Sequence, residues 1–150
     1  MGVADLAMRS SRFFDRLTVV HVLAYRASGG LIGSRIPGVG GPMLLLDHVG
    51  ARSGQRRTTP LLYVPHGEDV AIIASKGGNP KNPAWYHNLR ANPETTVQIG
   101  RERRKVRARV TSGSERDRLY AEATRLYGGY ADYQARTERT IPVVVLERAG

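Results

Sequence analysis

The sequence predicts a mainly β domain with flanking helices (α+β), its antiparallel sheet closed or nearly closed into a barrel. Two observations carry this. Five or six short apolar runs are bounded by glycine, proline and asparagine, and most neighbouring runs are close enough to pair as hairpins. The runs do not alternate with long helices, which argues against a doubly wound parallel sheet. At 150 residues the chain is one domain, read as an N-terminal helix and cap over residues 1–30 and a barrel over residues 31–150.

The elements follow in order. From about Ala4 to Arg26, Leu6, Phe13, Leu17, Val20 and Ala24 recur at helical steps and Phe14 widens the apolar face. Ser28-Gly29-Gly30 ends that helix, since paired glycines readily take the left-handed conformation of a helix C-terminus. An ordinary helix of this kind packs on its own domain's core; a basic amphipathic helix lying on a membrane is the sharper alternative. Leu31 to Pro42 reads as a linker or structured loop. Met43 to Val49 is a strand. Thr58 to Val64 and Val70 to Ser75 flank Pro65-His66-Gly67-Glu68-Asp69 and make a hairpin. Ala84 to Arg90 is a short helix stopping before Asn92-Pro93. Thr95 to Ile99 and Lys105 to Val110 form a second hairpin, in which Val106, Ala108 and Val110 face one side and Lys105, Arg107 and Arg109 the other. Ser112 and Glu115 have the spacing of a capping box for a helix running to about Tyr127. Gly128-Gly129 breaks it, a tyrosine-rich segment follows, and Ile141 to Leu146 is the last strand.

Composition narrows the chemistry. There is no cysteine, so disulfides and thiolate metal or redox sites are excluded. No uninterrupted apolar segment has the length of a signal core or a membrane span, and the expectation is a cytoplasmic protein, or one peripheral to the inner face of the membrane. A formal charge of +10 fits nucleic acid, an anionic membrane surface or a polyanionic small molecule. Only the placement of the charges can choose among these.

Three segments carry candidate chemistry. Gly50 to Pro60, GARSGQRRTTP, is a basic, hydroxyl-rich turn offering backbone N–H groups, guanidinium forks and threonine hydroxyls, the donors a phosphate needs. A solvated basic hairpin is the bland reading of the same residues, and the P-loop ending is absent. Ala74-Ser75-Lys76-Gly77-Gly78 follows a strand directly; Lys76 can face an anion and the glycines admit close approach of a flat ring. Trp85 and His87 in the next helix read more simply as core and surface. Tyr127, Tyr130 and Tyr133 recur every three residues beside a helix break, where they either pack a core or present phenolic O–H groups to a carbonyl. No metal-ligand pattern or nucleophile elbow is present, so a bound cofactor performing the reaction fits best. The basic stretch RERRKVRAR at 101–109 keeps a nucleic-acid-binding barrel open as the alternative, although it lacks interleaved aromatics.

The run ASKGGNPKNPAWYHNLRANPETTVQI resembles the deazaflavin (coenzyme F-420)-dependent nitroreductase and quinone reductase family of actinobacteria. Tyr25 to Gly30, the Gly50 to Leu61 turn, and Tyr130-Ala131-Asp132-Tyr133-Gln134 through Ile141-Pro142-Val143 resemble it in the same order. The resemblance implies a split antiparallel β-barrel like that of flavin-mononucleotide-binding oxidases, with hydride passing from reduced coenzyme F-420 to a quinone or similar planar acceptor, and adventitiously to nitroaromatics. It assigns the phosphate and acidic tail to Arg52, Ser53, Gly54 and Arg57 with Thr58, Thr59 and Pro60. Ala74, Ser75, Lys76 and Gly77 would line the deazaflavin, completed by Pro83, Ala84, Trp85, Tyr86 and Asn88. Ser75, Tyr127, Tyr130 and Tyr133 would stand on the acceptor side, with Tyr130 the best proton donor. No metal and no nucleic acid are implied. Ala51 departs from the family's usual cation, and Arg56 stands where a proline is common. The same fold with flavin mononucleotide or haem is a further alternative.

Overall fold

The computed structural model describes residues 3–31, 42–78 and 80–149, with side chains from residue 16 onward. Most of the expected Leu31–Pro42 loop, and the side chains of Leu6, Phe13 and Phe14, lie outside these residues. The described elements are α1 (Val3–Ser28), β1 (Met43–Val49), β2 (Arg56–Leu62), β3 (Val64–His66), β4 (Asp69–Ile73), a 3-10 turn (Lys76–Gly78), α2 (Ala84–Ala91), β5 (Glu94–Ile99), β6 (Glu102–Val110), α3 (Gly113–Leu126), α4 (Gly129–Ala135) and β7 (Val143–Arg148).

The strands form one sheet in the order β2-β1-β5-β6-β7-β4-β3, and every pair is antiparallel. Its two edge strands, β2 and β3, are consecutive in the chain with only Tyr63 between them. The sheet therefore curls until its ends meet, and a covalent bend rather than a hydrogen-bonded ladder spans the seam. This corrects the single strand expected from Thr58 to Val64. The residues hold extended backbone throughout, but the segment changes edge at Tyr63, and the hairpin is β3–β4, turning at Gly67 with φ +62°. Pro60 and Pro65 are tolerated because both lie on edge strands, where a missing N–H costs no ladder bond.

Two apolar clusters sandwich the sheet. One holds Leu44, Leu46, Val70, Ile72, Val97, Val106, Val144 and Leu146 under α2, through Trp85, Tyr86 and Leu89. The other packs Ala71, Ile73, Val143 and Val145 against Leu119, Tyr120, Ala123, Tyr127 and Tyr130 of the α3–α4 region. β4 and β7 are thus buried on both faces, which explains their unbroken apolar runs. In β6, Val106 is buried and Ala108 half-buried, but Val110 is exposed because it ends the strand.

The described part of the N-terminal helix lies along β2 and is half-buried at His21, Val22 and Ala24. Its anchor is the last turn: Tyr25 is fully buried, donates its hydroxyl to Met43 O (3.0 Å) or Gln98 O (3.3 Å), and accepts from Gly100 N (2.8 Å). Gly30, at φ +91°, closes the helix so near Gly100 that a Cβ would lie 2.8 Å from its Cα. Upstream, Leu17, Val20 and Leu23 are 49%, 63% and 61% exposed. The capping box at Ser112 is also absent. Ser112 takes the N-cap position without a side-chain bond, and Glu115 instead holds Arg109 through two contacts of 2.6 and 3.1 Å. A charge-assisted fork outcompetes one neutral backbone N–H.

Candidate active site

One cavity of about 540 Å³ is lined from three directions. Met43, Pro60, Leu61, Leu62 and Ile73 come from strands β1, β2 and β4; Ser75, Lys76, Pro83 and Trp85 from the segment after β4; Tyr127, Gly128, Gly129, Tyr130 and Tyr133 from the α3–α4 break. The size suits a ring system of drug-like dimensions.

The wall after β4 is tightly held. Lys76 adopts φ +46°, the one non-glycine residue in the left-handed region among those described. Such a conformation is strained and needs its surroundings to hold it. The Gly78 amide donates to Ser75 O (3.0 Å), and at φ +78° a Cβ on Gly78 would lie 2.7 Å from Tyr133 O. The turn is therefore seated directly on α4. Ala74 is fully buried and donates its N–H to Pro142 O (3.0 Å). Trp85, 5% exposed, serves both the core and the cavity.

On the facing wall Tyr130 is the hub. Its ring meets Tyr120, Tyr127 and Tyr133 edge-on at centroid distances of 6.2, 6.1 and 5.7 Å. The Tyr120 hydroxyl donates to Tyr130 O, and the Tyr127 hydroxyl donates to Tyr63 O (2.8 Å), pinning the seam. Burial, reinforced by the neighbouring phenols, pushes the Tyr130 hydroxyl above the ordinary tyrosine range, so it stays protonated at neutral pH.

The basic turn is exposed and lies outside the cavity lining. Gly50 N donates to Gln55 O (2.8 Å) and Gly54 N to Gly50 O (2.9 Å), which presents Arg52 and Ser53 to solvent. Asn88 ties this turn to α2: its Oδ1 accepts from Ala51 N (2.9 Å) and its Nδ2 donates to His48 Nδ1 (2.9 Å). His48 Nε2 then meets Thr59 Oγ1 (2.9 Å). Burial, and secondly the charge of Arg57, lower the His48 pKa despite Asp47; the ring is neutral, accepting at Nδ1 and donating at Nε2. Thr58 donates its hydroxyl to Asp47 Oδ1 (2.6 Å), which also pairs with Arg26 at 2.9 Å.

The geometry thus divides the residues singled out in the sequence. Pro60, Ser75, Lys76, Pro83, Trp85, Tyr127, Tyr130 and Tyr133 meet in one cavity. Arg52, Ser53 and Gly54 stand on the turn. Arg57 and Thr58 line a separate cleft of about 450 Å³ with Arg26, Asp47, Arg56 and Arg103. Gly77 lies within the 3-10 turn and Ala84 is exposed at the start of α2. Asn88 and Thr59 spend side-chain bonds inside the protein, and Tyr86 faces a smaller cavity of about 200 Å³ with Leu89, Val110 and Val144.

Sequence and fold comparisons agree with this arrangement. Residues 17–148 match the family model described as F-420H(2)-dependent quinone reductase. The chain belongs to that family. An F-420H(2)-dependent quinone reductase of Mycobacterium tuberculosis is 42% identical over 151 residues, spanning 94% of this chain and 99% of the relative. The solved structure of an F-420-H(2)-dependent reductase, FDR-A, is 42% identical with a TM-score of 0.66, over 71% of this chain and 94% of that one. A solved domain-swapped dimer is 35% identical with a TM-score of 0.69, over 91% and 99%. The haem storage protein HutZ of Vibrio cholerae shares the fold alone, at 12% identity and TM-score 0.56 over 72% and 82%. The sheet is accordingly a split barrel, the protein an oxidoreductase, and its cofactor coenzyme F-420.

The donor set fits that cofactor: an apolar, aromatic-lined cavity accepts a flat ring, and exposed guanidinium groups accept acidic substituents. Sequence reasoning missed Met43, Leu61, Leu62 and Ile73 as cavity residues. Their apolar character was plain, but nothing local distinguishes a strand residue facing a cavity from one facing the core. It also missed His48, whose partners lie 11 and 40 residues away.

Proposed function

We propose that the 540 Å³ cavity brings the deazaflavin ring together with a quinone or similar planar acceptor, while the Arg52–Thr59 segment receives the phosphate and acidic tail. The observation that carries this is the convergence of the Ser75–Lys76 turn, the Pro83–Trp85 helix start and the Tyr127–Tyr133 cluster on one space. When bound, the reduced cofactor supplies a hydride. The chain's own residues do the rest. Within the Ala74–Gly77 turn Ser75 and Lys76 face the ring, and Pro83 and Trp85 shape its other side, with Ala84 and Tyr86 adjoining them on α2 outside the lining. Asn88 holds the basic turn in place, with Pro60 between turn and cavity. Ser75, Tyr127 and Tyr133 border the acceptor. Tyr130 holds, on its Oη, the proton that a reduced quinone oxygen requires.

Titrating the protein with oxidised coenzyme F-420 and following its fluorescence tests the binding half. Saturation at low micromolar cofactor is expected, weakened about tenfold or more in Arg52→Ala/Arg57→Ala as charge-assisted contacts are lost. Unchanged affinity in that variant would move the tail elsewhere. The nucleic-acid reading draws less support, because Arg104, Arg107 and Arg109 of the basic strand are paired with Glu102, Glu94 and Glu115/Glu147.

The exposed Leu17, Val19, Val20 and Leu23 support a further part of the reading, peripheral contact of α1 with a membrane surface where apolar quinones reside. No described helix is long and apolar enough to cross a membrane. Sedimentation with anionic liposomes should carry down the protein and lose a triple Leu17→Ser/Val20→Ser/Leu23→Ser variant. A wild-type protein left in the supernatant as a stable dimer would assign the face to a second copy instead.

A further inference from the structure

We infer that Arg139 is a positioning residue that fixes the spacing between the two walls of the cavity. It rests on the reading that cofactor and acceptor meet there, and Arg139 is not itself among the lining residues. Its guanidinium donates through Nη2 to Ser75 O (2.8 Å) and Ala74 O (3.2 Å), and through Nη1 to Asn82 Oδ1 (2.7 Å). Those acceptors are the two stems of the loop that carries Ser75, Lys76 and Pro83.

The same residue is fastened to the tyrosine wall. Arg139 O accepts from Gln134 Nε2 (2.8 Å), and Gln134 Oε1 accepts from Arg116 Nη2 (2.9 Å) and Ile141 N (3.1 Å). Gln134 lies on α4, one residue beyond Tyr133 and one turn beyond Tyr130. A continuous chain of hydrogen bonds therefore runs from α3 through α4 to the loop. Such a clamp has a strained backbone to hold, because Lys76 lies in the left-handed region between the two stems. The planar fork suits this role, since an ammonium is a point charge and cannot span both stems with fixed geometry.

The test compares Arg139→Gln, Arg139→Lys and Arg139→Ala with wild type. In the protein without cofactor, amide hydrogen exchange in residues 74–82 should quicken by about tenfold in Arg139→Gln while β5 and β6 stay protected. With reduced coenzyme F-420 and menadione, kcat should fall by about 10- to 100-fold in all three, as a misplacement near 1 Å does, with cofactor Kd changed by less than about threefold. Guanidinium ion at millimolar concentration should restore part of the kcat of Arg139→Ala and none of that of Arg139→Lys. Unchanged loop exchange, or wild-type kcat in Arg139→Gln, overturns the inference. So does a loss of protection spread evenly over the sheet, which marks a merely structural arginine. Wild-type protein that turns over nothing, with the local exchange effect still seen in Arg139→Gln, would instead defeat the functional reading and leave the clamp standing.

Discussion

Tyr130 and His48 show how one side chain's surroundings decide its chemistry. Tyr130 is buried among three phenols, so its hydroxyl is held in the donor form well past neutral pH. Replacing it by Phe should lower kcat by about 100-fold or more, the usual worth of a positioned acid, with little change in cofactor affinity. The wild-type kcat profile should show no alkaline limb from this group below about pH 10, because its pKa is raised from the ordinary value. An alkaline limb near pH 8 that disappears in Tyr130→Phe would contradict the assignment. His48 works in the opposite sense. Its folded pKa is lowered, so the unfolded chain binds the proton more readily. The stability it contributes is complete above about pH 6.5 and is lost as pH falls from there toward the folded value. Urea midpoints measured between pH 7 and pH 5 should decline, and His48→Gln should flatten part of that decline.

Elements decide where these residues meet, and here the sequence was readable in part. The strands from Met43, Thr95 and Lys105, the Ala84 helix and the Gly128-Gly129 break follow from local periodicity and turn chemistry, and the structure contains them. The change of sheet edge at Tyr63 does not, since extended residues look alike on either edge. Likewise Glu115 has capping-box spacing from Ser112, but Arg109, a strand away, takes it. Asn88 illustrates the same limit within the site. Its place on α2 was legible; its amide reaching back to Ala51 and His48 was not. Asn88→Ala should loosen the basic turn and raise the cofactor Kd by about tenfold with a smaller effect on kcat. A variant affected only in kcat would place Asn88 beside the ring rather than behind the turn.

Across the whole molecule, the barrel seam, the docked end of α1 and the cavity share supports. Tyr25 ties α1 to β1 and to the β5–β6 turn through one buried hydroxyl. Tyr25→Phe leaves the Gly100 amide without that acceptor and should cost about 1–3 kcal/mol, lowering Tm by several degrees in a thermal melt. A change under about 0.5 kcal/mol would show that α1 contributes little to the fold. Upstream of this anchor, α1 lies along β2 with Leu17, Val19, Val20 and Leu23 exposed. The family likeness covers nearly the whole chain, residues 17–148.

The most direct measurement is a crystal structure of the protein with oxidised coenzyme F-420. The account predicts the tricyclic ring between Ser75–Lys76 and Trp85, facing Tyr130, with the phosphate and tail running toward Arg52 and Arg57. A ring seated in the Arg26–Arg103 cleft, or a tail directed away from the Gly50–Gln55 turn, would contradict it.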